Sequence, residues 1–148
     1  MCLGEGRFMI QLLHERVVQF KGSLLGFEEL NEFSITAVEE DSPYAYMQSL
    51  QDESIGFLVA TPFIFHPDYT FEIEEKDKTL LELKSQEEVA VFNLVTIKEP
   101  FTQSTVNLLA PVIINLTNGQ ARQVVLPPKS NYGTSELLFR EIPEKSGE

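Results

Sequence analysis

Apolar and polar residues alternate with a period of two along several stretches of the chain, which is typical of β-strands with one buried face. Residues 33–38 read Phe-Ser-Ile-Thr-Ala-Val and residues 70–74 read Thr-Phe-Glu-Ile-Glu, so we predict a strand at each. Other segments are continuously apolar and rich in β-branched or aromatic residues, as in strands covered on both faces. These are residues 55–60, 89–97, 106–116 and 123–126, and further candidate strands are residues 8–13, 16–20 and 44–50.

A turn signal near the end of the chain predicts a hairpin. The dipeptide Asn118-Gly119 favours the positive φ angles of a tight turn and lies between two apolar runs. We therefore predict that residues 112–116 pair with residues 120–126. Pro111 has no N–H to donate to a sheet, so we expect it at a strand start, a bulge or an edge.

A second hairpin is predicted where the polar residues 51–54 separate the strands 44–50 and 55–60. Residues 75–84 are rich in Glu, Lys and Leu and form the predicted helix. The segment from residue 133 to the end is expected to be irregular. The whole chain is therefore predicted to be one all-β domain, an antiparallel sandwich or barrel-like fold with one or two short helices.

The charge of the chain is strongly negative and unevenly distributed. Its 148 residues include 11 Lys and Arg against 23 Asp and Glu, a formal net charge of −12. Residues 28–88 hold 16 acidic and 3 basic residues, so this window accounts for the whole excess. Such a surface repels phosphate backbones, which argues against direct nucleic-acid binding. It serves either as a solvated face or as a surface that attracts a basic protein, and charge alone does not separate the two.

The compartment is predicted from what the chain lacks. Cys2 is the single cysteine, so no internal disulfide is possible, and the N-terminus has no long apolar stretch of a signal peptide. No apolar run approaches the roughly 20 residues that span a bilayer. We expect a cytoplasmic protein without membrane association. Nothing in the sequence demands self-association, so we expect a monomer when the protein is free.

Catalytic and metal-binding patterns are absent from the sequence. His14 and His66 are 52 positions apart and have no cysteine at ligand spacing, so no zinc site is predicted. His66 precedes Asp68 by two residues, but without a nucleophile motif it is interpreted as a hydrogen-bonded loop histidine. The carboxylate pairs flank strands or turns and lack an apolar pocket. We predict no catalytic residue, no metal and no cofactor.

Residues 61–71, which we call the aromatic–proline segment, read Thr-Pro-Phe-Ile-Phe-His-Pro-Asp-Tyr-Thr-Phe. Prolines stiffen the backbone, and aromatic side chains offer a large contact area at low entropic cost. The segment is therefore either a connection that fills the core or a rigid, partly exposed platform for a partner.

At this segment the sequence resembles the family of the bacterial flagellar assembly factor FliW. The resemblance runs over residues 17–132 and consists of several blocks in the family's order and spacing. The blocks include Gly-Phe-Glu-Glu-Leu at 26–30, Asp-Ser-Pro-Tyr at 41–44, Met-Gln-Ser-Leu at 47–50, the aromatic–proline segment, Asn-Leu-Val-Thr-Ile at 93–97, residues 104–115 and Gln-Val-Val-Leu at 123–126. The family often has Pro where this chain has Leu25, a mild departure because Gly26 still supplies the turn.

The resemblance implies a non-enzymatic regulator. Proteins of this family bind CsrA, a small basic RNA-binding protein that represses translation of flagellin mRNA, and they also bind flagellin. Flagellin occupies them while it is plentiful in the cytoplasm. After its export they capture CsrA and relieve the repression. A small-ligand-binding acidic β-barrel domain is the alternative that the sequence leaves open.

Candidate contact residues for a partner lie in and directly after the aromatic–proline segment. The aromatic and proline side chains would supply apolar contacts, and the carboxylates would form an acidic rim that suits a cationic partner. The predicted contacts are Phe63, Phe65, Pro67 and Tyr69, with Asp68, Glu72 and Glu74 as the rim. Asn93, Thr105 and Asn107 lie in family-like blocks and are expected to make buried hydrogen bonds.

Overall fold

A computed structural model of the chain describes residues 12–39 and 42–139. Within these ranges the fold consists of antiparallel strands with two short α-helices, besides the helical residues 12–13. The strands are β1 (Arg16–Gln19), β2 (Glu32–Ala37), β3 (Tyr44–Ser49), β4 (Gly56–Ala60), β5 (Val89–Thr96), β6 (Thr105–Val106), β7 (Val112–Asn115), β8 (Ala121–Gln123) and β9 (Glu136–Leu137), and the helices are α1 (Pro62–Phe65) and α2 (Glu75–Leu81). The predicted fold class is confirmed.

The strands form one open sheet that branches at β5. The main path runs β1-β2-β3-β4-β5-β6-β9, and every pairing along it is antiparallel. The first half of β5 pairs instead with β7, which pairs with β8. Gln19 N–H donates to the carbonyl oxygen of Gly119 at 2.9 Å, so the end of β1 contacts the turn of the β7–β8 hairpin.

The predicted alternation in residues 33–38 is confirmed in β2. Phe33 and Ile35 are fully buried, whereas Thr36 on the other face is exposed. The ring of Phe33 meets that of Phe20 edge-to-face at 5.5 Å, and this pair belongs to the larger hydrophobic core. A second core, around Tyr69, lies beneath the aromatic–proline segment and positions the candidate site.

Both predicted hairpins are confirmed. β3 and β4 pair from Tyr44–Ala60 at one end to Gln48–Gly56 at the other. β7 pairs with β8, and the turn between them places Gly119 at φ +77°.

The long apolar run of residues 106–116 was predicted as one strand, and this prediction is wrong. The run divides into β6 and β7 because Asn107 Oδ1 accepts the Ala110 N–H at 3.0 Å and closes a turn between them. Pro111 directly precedes β7, as predicted for a strand start. The neighbouring strand β8 begins at Ala121 and ends at Gln123, so it does not cover the predicted residues 124–126.

Residues 70–74 were also predicted as a strand, but they belong to none of the strands in the described part of the chain. Their exposure still alternates, with Phe71 and Ile73 half-buried and Glu72 exposed. The predicted helix over residues 75–84 is confirmed as α2, which ends earlier because Glu82 adopts the left-handed conformation at φ +58°.

Both ends of the described chain differ from prediction. Leu12 and Leu13 are helical, so the strand predicted for residues 8–13 is wrong there, and residues 8–11 lie outside the described residues. Glu136–Leu137 form β9 on the edge of β6, and Leu138 is buried. The prediction of irregular structure from residue 133 is therefore wrong at β9, while residues 140–148 lie outside the described residues.

Candidate protein-binding site

The aromatic–proline segment leaves β4 and folds into the single helical turn α1. Thr61 N–H donates to the carbonyl oxygen of Pro43 at 3.0 Å, which fixes the start of the segment. Pro62 occupies the first helical position, where its missing N–H has no cost. His66 N–H donates back to the carbonyl oxygen of Pro62 at 2.8 Å and ends the turn. These contacts make the segment compact rather than extended.

Phe65 belongs to a surface cluster of four rings, Tyr44, Phe65, Phe101 and Phe139, which we call the aromatic patch. Each ring touches two others, with centroid distances of 5.5 to 5.8 Å around the cycle. Phe101 is 37% exposed and the other three rings are half-buried. The adjacent Ile64 is 45% exposed, so the patch offers apolar contact area at the surface.

Tyr69, predicted as a contact residue, lies in the core instead. It is only 3% exposed, and its hydroxyl donates to the carbonyl oxygen of Leu108 at 2.7 Å. Its ring packs against those of Phe63, Phe71 and Tyr132. Because Tyr69 presents almost no surface, it supports the segment from below and does not itself offer a contact to a partner. Phe63 is half-buried in the same cluster.

Pro67 and Asp68 are exposed beside a surface groove of about 390 Å³. Asp68 and Glu136 both line this groove, which we call the acidic groove, together with His66 and Leu137. His66 Nε2 lies 2.9 Å from the carbonyl oxygen of Leu137, which confirms the interpretation as a hydrogen-bonded histidine. Because His66 directly follows Phe65, the acidic groove adjoins the aromatic patch.

Glu72 and Glu74, the other two members of the predicted rim, lie by α2. Glu72 lines a different groove, between the aromatic–proline segment and the residues that follow α2. Glu74 directly precedes α2, makes no side-chain capping hydrogen bond, and pairs with Lys76 at 4.0 Å. The structure therefore divides the predicted rim into two parts, Asp68 at one groove and Glu72 with Glu74 at another.

Asn93 is fully buried and hydrogen-bonded as predicted, whereas Asn107 is hydrogen-bonded but only half-buried. Asn93 Nδ2 donates to the carbonyl oxygen of Asn107 at 2.7 Å and reaches the Tyr69 hydroxyl at 3.4 Å. Thr61 Oγ1 and Asn93 Oδ1 are buried without a hydrogen-bond partner among the described residues. For Thr105 no side-chain hydrogen bond occurs within this part of the chain.

Comparison with known proteins assigns the family. The family model described as FliW protein matches residues 7–138, which is wider than the 17–132 range of the sequence resemblance. The flagellar assembly factor FliW of Bacillus licheniformis is 42% identical over 131 residues, 88% of this chain and 91% of that protein. The FliW of Bacillus subtilis strain 168 is 39% identical over 132 residues, with 89% and 92% covered. The chain belongs to the FliW family.

A solved structure agrees with this assignment. The crystal structure of a flagellar assembly factor FliW matches with a TM-score of 0.78 and 30% identity, covering 84% of this chain and 86% of that one. Membership of the FliW family indicates a role in flagellar assembly. In residues 12–39 and 42–139 no helix is long and apolar enough to cross a membrane. No group of three His, Cys, Asp or Glu side chains in the same ranges could hold a metal ion.

Three of the four rings of the aromatic patch were not identified from the sequence of this FliW-family chain. Tyr44 starts β3, Phe101 lies in a short turn after β5, and Phe139 follows β9. Only the pairing of distant strands brings them to Phe65. The one local signal was Tyr44, which ends a block shared with the family at residues 41–44.

Proposed function

We propose that this chain is a non-enzymatic regulator that binds CsrA and flagellin in alternation and so couples flagellin synthesis to flagellar assembly. The similarity to FliW proteins over residues 7–138 is the observation that carries this proposal. Bound to CsrA, the protein relieves repression of flagellin mRNA. Bound to flagellin, it leaves CsrA free to repress.

The aromatic patch and the acidic groove beside it support a basic protein partner. Interfaces combine an apolar centre with a polar rim, and the exposed Ile64 and Phe101 supply apolar area here. Asp68 and Glu136 place carboxylates at the margin of that area. In a chain of net charge −12, these groups steer a cationic protein to the patch and oppose the approach of RNA to the complex.

The alternation requires that one partner weakens the binding of the other. This follows either from a shared surface, where each partner displaces the other to an extent set by its concentration, or from a coupling free energy between two surfaces. With two surfaces, flagellin should lower the affinity for CsrA by the same factor by which CsrA lowers the affinity for flagellin.

Surface plasmon resonance with purified CsrA and purified flagellin, which measures both affinities and association rates, tests the proposal. The charge-reversal variant Asp68→Lys should slow association with CsrA about tenfold at low salt, and this difference should shrink as salt is added. Glu53→Lys is the matched control, because Glu53 is an exposed carboxylate in the β3–β4 turn, at the opposite end of β3 from Tyr44. Binding of neither partner by the folded wild-type protein would refute the proposal. Equal slowing by both variants would refute the assignment of the site.

A further inference from the structure

The segment Phe71–Glu72–Ile73 has the side-chain pattern of a strand but pairs with none of the strands in the described part of the chain. Its exposure alternates, with Phe71 and Ile73 turned to the core and Glu72 to the surface. Within the described part of the chain, none of the backbone groups of these three residues makes a hydrogen bond. Flanking contacts hold both ends in place: Thr70 bonds with the Tyr132 hydroxyl, and Glu74 O accepts the Asp77 N–H.

A groove of about 480 Å³ runs along this segment. Phe71, Glu72 and Ile73 form one wall, and residues 83–86 form the other. Leu83 and Val89 give the groove an apolar lining that continues into a buried cluster. A volume in this range suits a bound ligand or a short peptide segment.

The groove also contains two cations in a strongly acidic region. Lys78 and Lys84 line it, although residues 28–88 contain only 3 basic residues. Among the described residues, Lys78 has one weak pairing, at 3.5 Å with the exposed Glu75. Lys78 and Lys84 outnumber Glu72, the one carboxylate among the lining residues, so the groove favours a ligand with negative charge. This is the opposite preference to that of the acidic groove at Asp68.

We propose that a partner protein adds a strand to Phe71–Ile73, and that the added segment alternates apolar residues with Asp or Glu. Backbone hydrogen bonds to the unpaired strand would supply affinity, as in other cases of strand addition to a free edge. The apolar side chains of the segment lie on Leu83 and Val89, and its carboxylates pair with Lys78 and Lys84. This site is separate from the aromatic patch and does not depend on the proposed function.

The test uses a fluorescently labelled peptide, acetyl-Val-Glu-Val-Glu-Val-amide, and the full-length protein. Fluorescence polarisation should give a dissociation constant below about 1 mM for this peptide. The peptide acetyl-Val-Lys-Val-Lys-Val-amide should bind at least about tenfold more weakly. Amide hydrogen exchange should slow at alternate positions, either at Phe71 and Ile73 or at Glu72, because a strand uses every second residue to pair with one neighbour.

The control variants separate groove binding from general charge. Lys78→Glu with Lys84→Glu should weaken binding of the acidic peptide about tenfold. Lys76→Glu should change it less than about twofold, because Lys76 is exposed on the same helix but does not line the groove. The proposal would be overturned if the acidic peptide did not bind or if the two peptides bound equally well. It would also be overturned if the lysine variants all had the same effect, or if exchange were unchanged at the amides of Phe71, Glu72 and Ile73.

Discussion

Arg122 Nε–H donates to Asp77 Oδ1 at 2.8 Å, and this ion pair ties the β7–β8 hairpin to α2. Asp77 is only 5% exposed, so loss of Arg122 would leave a buried carboxylate without its cation. We expect Arg122→Met to lower the free energy of unfolding by about 2 kcal/mol, less than for a fully buried pair because the Arg122 side chain is 32% exposed. Urea unfolding followed by circular dichroism measures this change.

The exposed pair Glu74–Lys76 provides the control for that measurement. Its atoms are 4.0 Å apart and both side chains are mostly exposed, so Lys76→Met should cost less than about 0.5 kcal/mol. Equal losses of unfolding free energy in Arg122→Met and Lys76→Met would show that burial of Asp77 does not strengthen its ion pair with Arg122.

Burial raises the pKa of the Tyr69 phenol well above its ordinary value of 10.0. The unfolded chain loses this proton near pH 10, whereas the folded chain retains it. Tyr69 therefore contributes fully to the free energy of unfolding below pH 10. This contribution decreases as the pH rises above 10. Tyr69→Phe should make the free energy of unfolding fall less steeply above pH 10. Part of the fall should remain, because burial also raises the pKa of Tyr44.

At neutral pH the same variant removes the hydrogen bond from the Tyr69 hydroxyl to Leu108. We expect a loss of about 1 to 2 kcal/mol, because the carbonyl oxygen of Leu108 stays buried without its donor. Denaturant unfolding at neutral and alkaline pH measures both effects. An unchanged decline above pH 10 would contradict the account of Tyr69.

Gly119 combines a positive φ with a close approach to another strand. Its φ is +77°, and a Cβ atom there would lie 3.2 Å from the carbonyl oxygen of Val17. Gly119→Ala should cost about 2 kcal/mol, compared with about 1 kcal/mol for Gly26→Ala. Gly26 has a similar φ of +85° but open space around it. A smaller loss at Gly119 than at Gly26 in thermal unfolding would contradict this steric argument.

The elements that could be predicted from the sequence are those with a local cause. The alternation in residues 33–38 gave β2, and Asn118-Gly119 marked the turn before β8. The break between β6 and β7 was indicated only in part: Pro111 was compatible with a strand start, but the turn before it depends on one side-chain bond from Asn107, which has no signal in a mostly apolar run.

The candidate site was predictable only in part, because its geometry depends on contacts between distant segments. Composition identified the aromatic–proline segment, but an aromatic side chain in a sequence can be either buried or exposed. Tyr69 is buried, and its hydroxyl donates a hydrogen bond to the carbonyl oxygen of Leu108. Phe65 lies nearer the surface, where its ring packs against that of Phe139. The pairing of β9 with β6, which places Phe139 there, has no local signal.

Phe101→Ala tests the aromatic patch as the site of CsrA binding. Phe101 is the most exposed of the four rings and lies in a short turn outside the strands, so its truncation should leave the fold intact. We expect about tenfold weaker binding of CsrA by isothermal titration, as for an apolar contact at the centre of an interface.

Leu50→Ala is the matched control for Phe101→Ala. Leu50 is also exposed and apolar, but it follows β3 at the end opposite to Tyr44, about 20 Å away along the strand. Its truncation should leave CsrA binding within about twofold of the wild type. Equal weakening by both variants would show that the aromatic patch is not the binding site.

The most direct test of the proposed partner switch measures RNA binding by purified CsrA while this protein is titrated in, at two salt concentrations, and then adds flagellin. The account predicts that the protein abolishes RNA binding by CsrA and that flagellin restores it. RNA binding that stays unchanged at both salt concentrations, with the added protein folded, would contradict the account.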